Sequence, residues 1–424
     1  MRSLSVSVMP IESNPADEAP ASSTVDIAMV LLANSLLRVA NAASGALIGF
    51  YLAHLARIGL PMDAMIVGNL GVVTNGAELL FALPMGALAD RYRPQFLLLG
   101  SALLGGFATQ IFGITHLVTL FFLSRALEGI AAAGSASPLL AHLADRTRLH
   151  PAFRGKVMSG YELSLLSGLA LGALVAGVFW EWMQTNAFSL IAVVYALAGG
   201  LFYWGARGSY KAQYSLSPLR GLLHAGTNPF LRKLAPSWIA VTAIVGMWLT
   251  HIAFQLSGPP VARQYLVGRF TPREAGVILL GYALVFSAGV TIWGYALARI
   301  SRLRALQITL TAMLIACFLL ALLNHGGAFP LWGRDVLVTL TALSVMVESG
   351  FTPTALAYLA DIADQGEMRG AAMGIYSLLM GIGGVLGAWI GGVLADRMAF
   401  DGLIVGTVVL ALLALAYLPG EPQN

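Results

Sequence analysis

The chain has 424 residues, of which 58% are hydrophobic and 10% charged, with a formal net charge of +4 and a mean hydropathy of +0.79. Soluble globular proteins carry about 25% charged residues, so this composition excludes a water-facing surface and places the chain in a bilayer. The small positive charge is gathered in particular loops and bears on orientation rather than on nucleic acid, and the single Cys317 excludes an intrachain disulfide framework.

Residues 1–25, which contain SNPADEAPASST, are polar and rich in Pro, Ser and Ala, and predict a disordered cytoplasmic N-terminus. No apolar core follows Arg2 directly, so no cleaved signal peptide is expected and the first span serves as the insertion signal. A helix crossing ~30 Å of hydrocarbon needs about 20 apolar residues. Runs of that length predict twelve spans, at 26–50, 64–89, 96–114, 117–144, 157–180, 187–206, 235–257, 275–298, 304–323, 336–360, 370–394 and 401–418. A polar stretch at 207–234 divides them into a half at 26–206 and a half at 235–418, with a cytoplasmic tail at 419–424. With the N-terminus inside, fifteen Lys and Arg residues fall in cytoplasmic loops, against Arg57, Arg263, Arg269, Arg273, Arg334 and Arg397 outside. Basic residues accumulate on the cytoplasmic side, so both termini are expected there. The loop RQYLVGRFTPRE runs against the trend with three arginines.

The two halves resemble each other. Arg154, Gly155, Met158, Tyr161, Gly168, Gly172, Ala173 and Gly177 recur 215 positions later as Arg369, Gly370, Met373, Tyr376, Gly383, Gly387, Ala388 and Gly392. ALADRYR at 87–93 has a weaker echo in ALARISR at 296–302. Duplicated six-span halves are typical of secondary transporters, whose substrate path lies between the repeats near the midplane. The glycines four apart also let two helix backbones approach closely.

GALADRYRPQ at 86–95 resembles the loop 2–3 motif of the major facilitator superfamily, with Gly86, Asp90, Arg91 and Arg93 matching and Tyr92 and Gln95 departing. In that family the motif is a cytoplasmic latch that closes the inner gate, and the resemblance implies this role for the four residues. SRALEGIAAA resembles the span 4 motif of drug/proton antiporters through Arg125, Glu128, Gly129 and Ala133, with Glu where Gln is usual. SGLALGALVAG is similar to their span 5 motif through Gly168, Gly172 and Gly177, with Ala173 in place of a proline. The resemblance covers residues 26 to 418. It implies an all-α membrane fold of twelve helices in two pseudo-repeats.

Five charges sit deep inside predicted spans: Arg38, Glu78, Arg125, Glu128 and Glu348. A charge at the bilayer centre costs roughly 2.5–3.5 kcal/mol on insertion scales, so such residues face a cavity or a partner. Arg125 and Glu128 share a helix face, which allows either a self-neutralising pair that anchors packing or a proton site. Two cations face three carboxylates, so at least one carboxylate lacks an arginine. Burial disfavours the charged form of an unpartnered carboxylate, which makes Glu128 or Glu78 an expected proton carrier tuned by Arg125 or Arg38. Glu348, alone in the second half, is expected to hold a proton or a cationic substrate group, or to bond within its own span. His251 reads as an interface residue, and Asn34, Asn41 and Asn75 as cavity lining or packing polar groups. Trp180, Trp182, Trp332 and Trp389 read as interface belts.

GIGGVLG at 381–387 lies in an apolar helix with no strand before it, so no dinucleotide site is expected, and no phosphate-binding loop or metal-ligand spacing occurs. The expectation is a cofactor-free, non-enzymatic transporter in a bacterial plasma membrane, functional as a monomer. It would exchange protons for a small amphipathic organic compound by alternating access. The alternatives are a proton-linked importer or facilitator of a metabolite, and a non-transporting receptor or assembly factor.

Overall fold

A computed structural model describes residues 21–89, 91–147, 151–207, 229–364 and 369–418. They form α1 (Ala21–Arg57), α2 (Ala64–Ala89), α3 (Pro94–Ile114), α4 (Val118–Arg146), α5 (Pro151–Met183) and α6 (Asn186–Gly205) in the first half. The second half holds α7 (Pro229–Ser257), α8 (Pro272–Ala296), α9 (Arg302–His325), α10 (Leu331–Glu348), α11 (Phe351–Asp364), α12 (Arg369–Met398) and α13 (Phe400–Ala416). Among the described residues, eleven helical stretches are long and apolar enough to cross a membrane, and the shorter apolar α13 stands in the place of the twelfth. The face carrying the 57–64, 257–272 and 325–331 connections is called distal, and the opposite face terminal.

Local chemistry sets the ends. Pro94 opens α3 after an extended Arg93, where a missing N–H costs nothing. Thr271 and Glu274 form a reciprocal capping box at α8, with Pro272 at its first position. The tenth predicted span is two helices. Ser349 and Gly350 interrupt it, and the Trp293 indole of α8 lies where a side chain at position 350 would go. The same indole donates to Val347 O at 2.8 Å, satisfying a carbonyl at the break.

The repeat glycines explain the packing of each half. Gly168 and Gly172 of α5 lie against Arg38 and Ala42 of α1, and a methyl at either would overlap them. Gly383 and Gly387 of α12 lie against Thr242 and Ala243 of α7 in the matching way. The halves themselves meet through two equivalent crossings. A Cβ on Gly68 of α2 would lie 2.7 Å from Ala388 O of α12, and one on Gly276 of α8 would lie 2.7 Å from Ala173 O of α5. Ala173 and Ala388 are repeat counterparts, so one pseudo-twofold relation builds both crossings.

These contacts fall toward the distal face. On α2 the distal residues Ala64, Val67, Gly68, Leu70 and Gly71 are buried, whereas Leu80, Phe81, Leu83 and Leu88 are exposed. Among the described residues, no glycine approach joins the halves nearer the terminal face than Gly381 against Leu79. Among the described residues, the glycine approaches between the halves therefore gather toward the distal face.

One tryptophan reading is corrected. Trp182 and Trp332 are exposed at helix ends as expected of interface residues, but Trp180 is buried against the rings of Tyr51 and His54. It closes the distal core of the first half because α5 turns that face inward. Cys317 is buried.

Candidate functional site

Asn34, Arg38, Asn41 and Ser44 follow one another along α1 at spacings of four, three and three, which puts them on one helix face. That face meets polar groups from four other helices. Asn34 donates to Ser164 of α5, and Tyr195 of α6 donates to Asn41 Oδ1 at 2.5 Å. Ser44 Oγ and Thr109 Oγ1 of α3 donate to Glu128 Oε1 at 2.6 and 3.0 Å. Arg125 Nη1 holds Glu128 Oε2 in an ion pair within α4. Both oxygens of the buried Glu128 are thus satisfied. Charge-assisted bonds of this kind are short and strong, and this network ties α1, α3 and α4 together. Ser44, Thr109 and Tyr195 were not singled out in the sequence, because nothing in it shows which faces converge.

Glu78 and Glu348 differ from Glu128. Gly129 of α4, part of the span 4 motif, lets α2 approach so closely that a Cβ there would lie 3.0 Å from Glu78 N. Glu78 is accessible rather than packed in, and neither it nor Arg38 makes a hydrogen bond or ion pair among the described residues. Arg38 Nε is a buried donor without a partner, and the Arg38 charge acts on Glu78 through space. One turn away, Asn75 Nδ2 donates to Gly384 O of α12 at 3.3 Å, so Glu78 stands at the level where the halves meet.

Glu348 is the last residue of α10, beside the break. It too lacks a hydrogen bond or ion pair among the described residues. In its own span, the neighbouring Ser349 Oγ donates to Met346 O. Glu348 lies within electrostatic reach of Tyr282 on α8 and Cys317 on α9, and Tyr282 packs its ring 5.8 Å from Phe286. The five deep charges therefore divide into one neutralised pair, one loosely facing pair and one solitary carboxylate.

Of the latch motif, Asp90 lies outside the described residues. Gly86 has open space where a side chain would be, and Arg91 and Arg93 are exposed. The glycines Gly168, Gly172, Gly383 and Gly387 pack within their halves, whereas Gly177 packs across them against Pro272. His251 is buried, with Nε2 3.1 Å from Ala388 O, at the crossing of α7 and α12.

The distal seal adds two residues that the sequence hid among orienting charges. Arg57, at the end of α1, donates from Nε to Gly258 O at 3.1 Å and from Nη2 to Gly268 O at 2.8 Å, both in the second half. Glu181 of α5 accepts from Arg273 N at 3.2 Å, at the positive N-terminal end of α8. Both are links between the halves.

Two helical halves linked toward one face, with a deep polar network inside the first half, have the frame of a membrane transporter. The chain belongs to the Major Facilitator Superfamily, whose model matches residues 30–268 and 244–424. Multidrug resistance protein 2 of Bacillus subtilis (strain 168) is 23% identical over 348 residues, covering 80% of this chain and 82% of that protein. An uncharacterized MFS-type transporter of the same organism, YwfA, is 28% identical over 81% of this chain and 78% of its own length. A mutant form of the nucleoside transporter NupG superposes with a TM-score of 0.75 at 13% identity, over 92% of this chain and 98% of NupG, a likeness of fold.

Proposed function

We propose that this transporter works by alternating access and exchanges protons for a small amphipathic organic compound, moving the compound out of the cell. The observation that carries the proposal is the pair of deep carboxylates without a bonded partner, Glu78 in the first half and Glu348 in the second. Burial penalises an unpartnered carboxylate far more when charged than when protonated, so proton binding at these two positions is coupled to their exposure. When Glu78 is charged, Arg38 is its counter-charge; when Glu78 is protonated, Arg38 is released to act elsewhere in the cavity. Glu128 serves as the fixed anion that keeps Arg125 and the α1–α3–α4 contact in place.

The direction rests on the multidrug resistance names of two Bacillus relatives and on the span 4 resemblance. The arginine bias supports a cytoplasmic terminal face, so that this conformation is read as open inward, and the bacterial relatives support a plasma-membrane location. Both halves of the path lie in one chain, so a monomer suffices.

The test follows lumenal pH in inside-out vesicles energised so that the lumen is acidic. Amphipathic cations, anions and neutral compounds are added in turn to wild type, Glu78→Gln, Glu348→Gln and Glu128→Gln. Lumenal alkalinisation by one compound class, lost in Glu78→Gln or Glu348→Gln, supports coupled export and names the class. Transport of a compound with no pH response in wild type points to a facilitator, and uptake driven in the opposite sense points to an importer.

A further inference from the structure

The distal loop with three arginines goes against the charge bias of the chain, and the transport cycle leaves two of those arginines unused. Arg57 and Arg334 are committed: Arg57 to the two carbonyls of the seal, and Arg334 to Phe329 O, Gly327 O and the Tyr265 hydroxyl. Arg263 and Arg269 are exposed and make no hydrogen bond or ion pair among the described residues. Arg269 does lie 5.4 Å from the centre of the Tyr265 ring.

Arg263 and Arg269 line one distal cleft of about 380 Å³, together with Gln264, Tyr265, His325 and the segment Gly327–Ala328. No carboxylate lines it. Asp401, which does not line the cleft, pairs with His325 at 3.0 Å. The cleft is therefore a positive concavity whose cations have no internal counter-ion.

Its base is firmly built. Gln264, between the two arginines, is buried and donates to Met398 O at 2.8 Å while accepting from Phe400 N and Asn324 Nδ2. The Asn324 side chain holds Leu266 N at 3.0 Å, and the Asn324 backbone oxygen accepts from Tyr265 N at 2.6 Å. Beside these bonds Arg263 stands at φ +65, a backbone conformation few residues with a Cβ adopt. Phe329, Leu331 and Trp332 are exposed beside the cleft, which sets it at the level of a bilayer interface.

We infer that this cleft binds a phosphate-bearing anion, through bidentate contacts from Arg263 and Arg269. A phospholipid headgroup of the adjacent leaflet and a free phosphate in the medium share that chemistry, and the experiment separates them. The inference does not depend on the direction or coupling of transport.

The purified full chain is melted in detergent with increasing inorganic phosphate, ionic strength being held constant with chloride. It is then melted in nanodiscs of phosphatidylcholine with and without phosphatidylglycerol. A ligand that binds only the folded state raises the melting temperature saturably. Wild type and Arg397→Gln, a change at an exposed arginine elsewhere on the distal side, are expected to show that rise, and Arg263→Gln/Arg269→Gln to lose it. The Arg263→Lys/Arg269→Lys pair keeps the charges but not the forks, and is expected to retain part of it. A rise with inorganic phosphate assigns a free anion, and a rise with phosphatidylglycerol alone assigns the headgroup. No rise in wild type with either probe, or an undiminished rise in the glutamine pair, overturns the inference.

Discussion

The two halves have the same skeleton and different interiors. Gly172 against Ala42 and Gly387 against Ala243 do the same task in each half, as do Gly68 and Gly276 at the crossings between them. The first half nevertheless carries four of the five deep charges, two of them locked in a network with Ser44 and Thr109, while the second carries Glu348 with Tyr282 and Cys317 nearby. Duplication preserved what backbone packing demands. The chemistry diverged because a side chain in a cavity is not constrained by the contact that holds the helices.

This comparison is sharpest where the scaffold is broken. Gly172→Leu and Gly387→Leu should be equally damaging, since each forces a side chain into a neighbouring helix, at about 3 kcal/mol or more. The loss of monodisperse protein on size exclusion, measured for both, would show unequal halves if only one variant suffers. Glu128→Gln should also destabilise, by about 3–5 kcal/mol, because it strands the Arg125 charge. The added change Arg125→Met should recover most of that, as read by melting temperature.

Glu78→Gln and Glu348→Gln should behave in the opposite way. Neither removes a bond, so stability should stay close to wild type, while proton-driven flux falls by on the order of tenfold or more, about 1.4 kcal/mol per decade. A melting-temperature loss as large as that of Glu128→Gln would show that a partner exists and merge the two classes of carboxylate. The smallest effect is expected at the seal. Arg57→Ala removes two hydrogen bonds worth about 1 kcal/mol each, and should shift the population toward the distally open form. Faster labelling of a cysteine placed at Thr250, beside Gly71, would report that shift.

Much of the architecture was legible in the chain. The spans follow from run lengths that a bilayer imposes, and the constant offset of 215 predicted which glycines are equivalent. The α5 and α12 helices end at Met183 and Met398, which differ by that same offset. The charged positions were legible too, because cost alone marks them. What the charges touch was not. Ser44 and Thr109 reach Glu128 from α1 and α3, and no local pattern records that convergence. The break at Ser349–Gly350 depends on an indole from another helix. Arg57 and Glu181 looked like ordinary charges at helix ends because their partners are backbone groups, which leave no trace in composition. Trp180 was misplaced for a related reason: proximity to a helix end says nothing about which way the ring faces.

The crossings at Gly68 and Gly276 have a mechanical consequence. Backbone meets backbone at those two points, so a turn of one half on the other would have no large side chain to unmesh there. Leu88 is about 30 Å from Gly68 along α2 at 1.5 Å per residue, so turning that lever by about 10° moves its tip by about 5 Å. Such a lever gains a wide mouth from a small torque. If the halves turn there as proposed, the clasp made by Arg57 and Glu181, three side-chain-to-backbone hydrogen bonds at the rim, has to open with them.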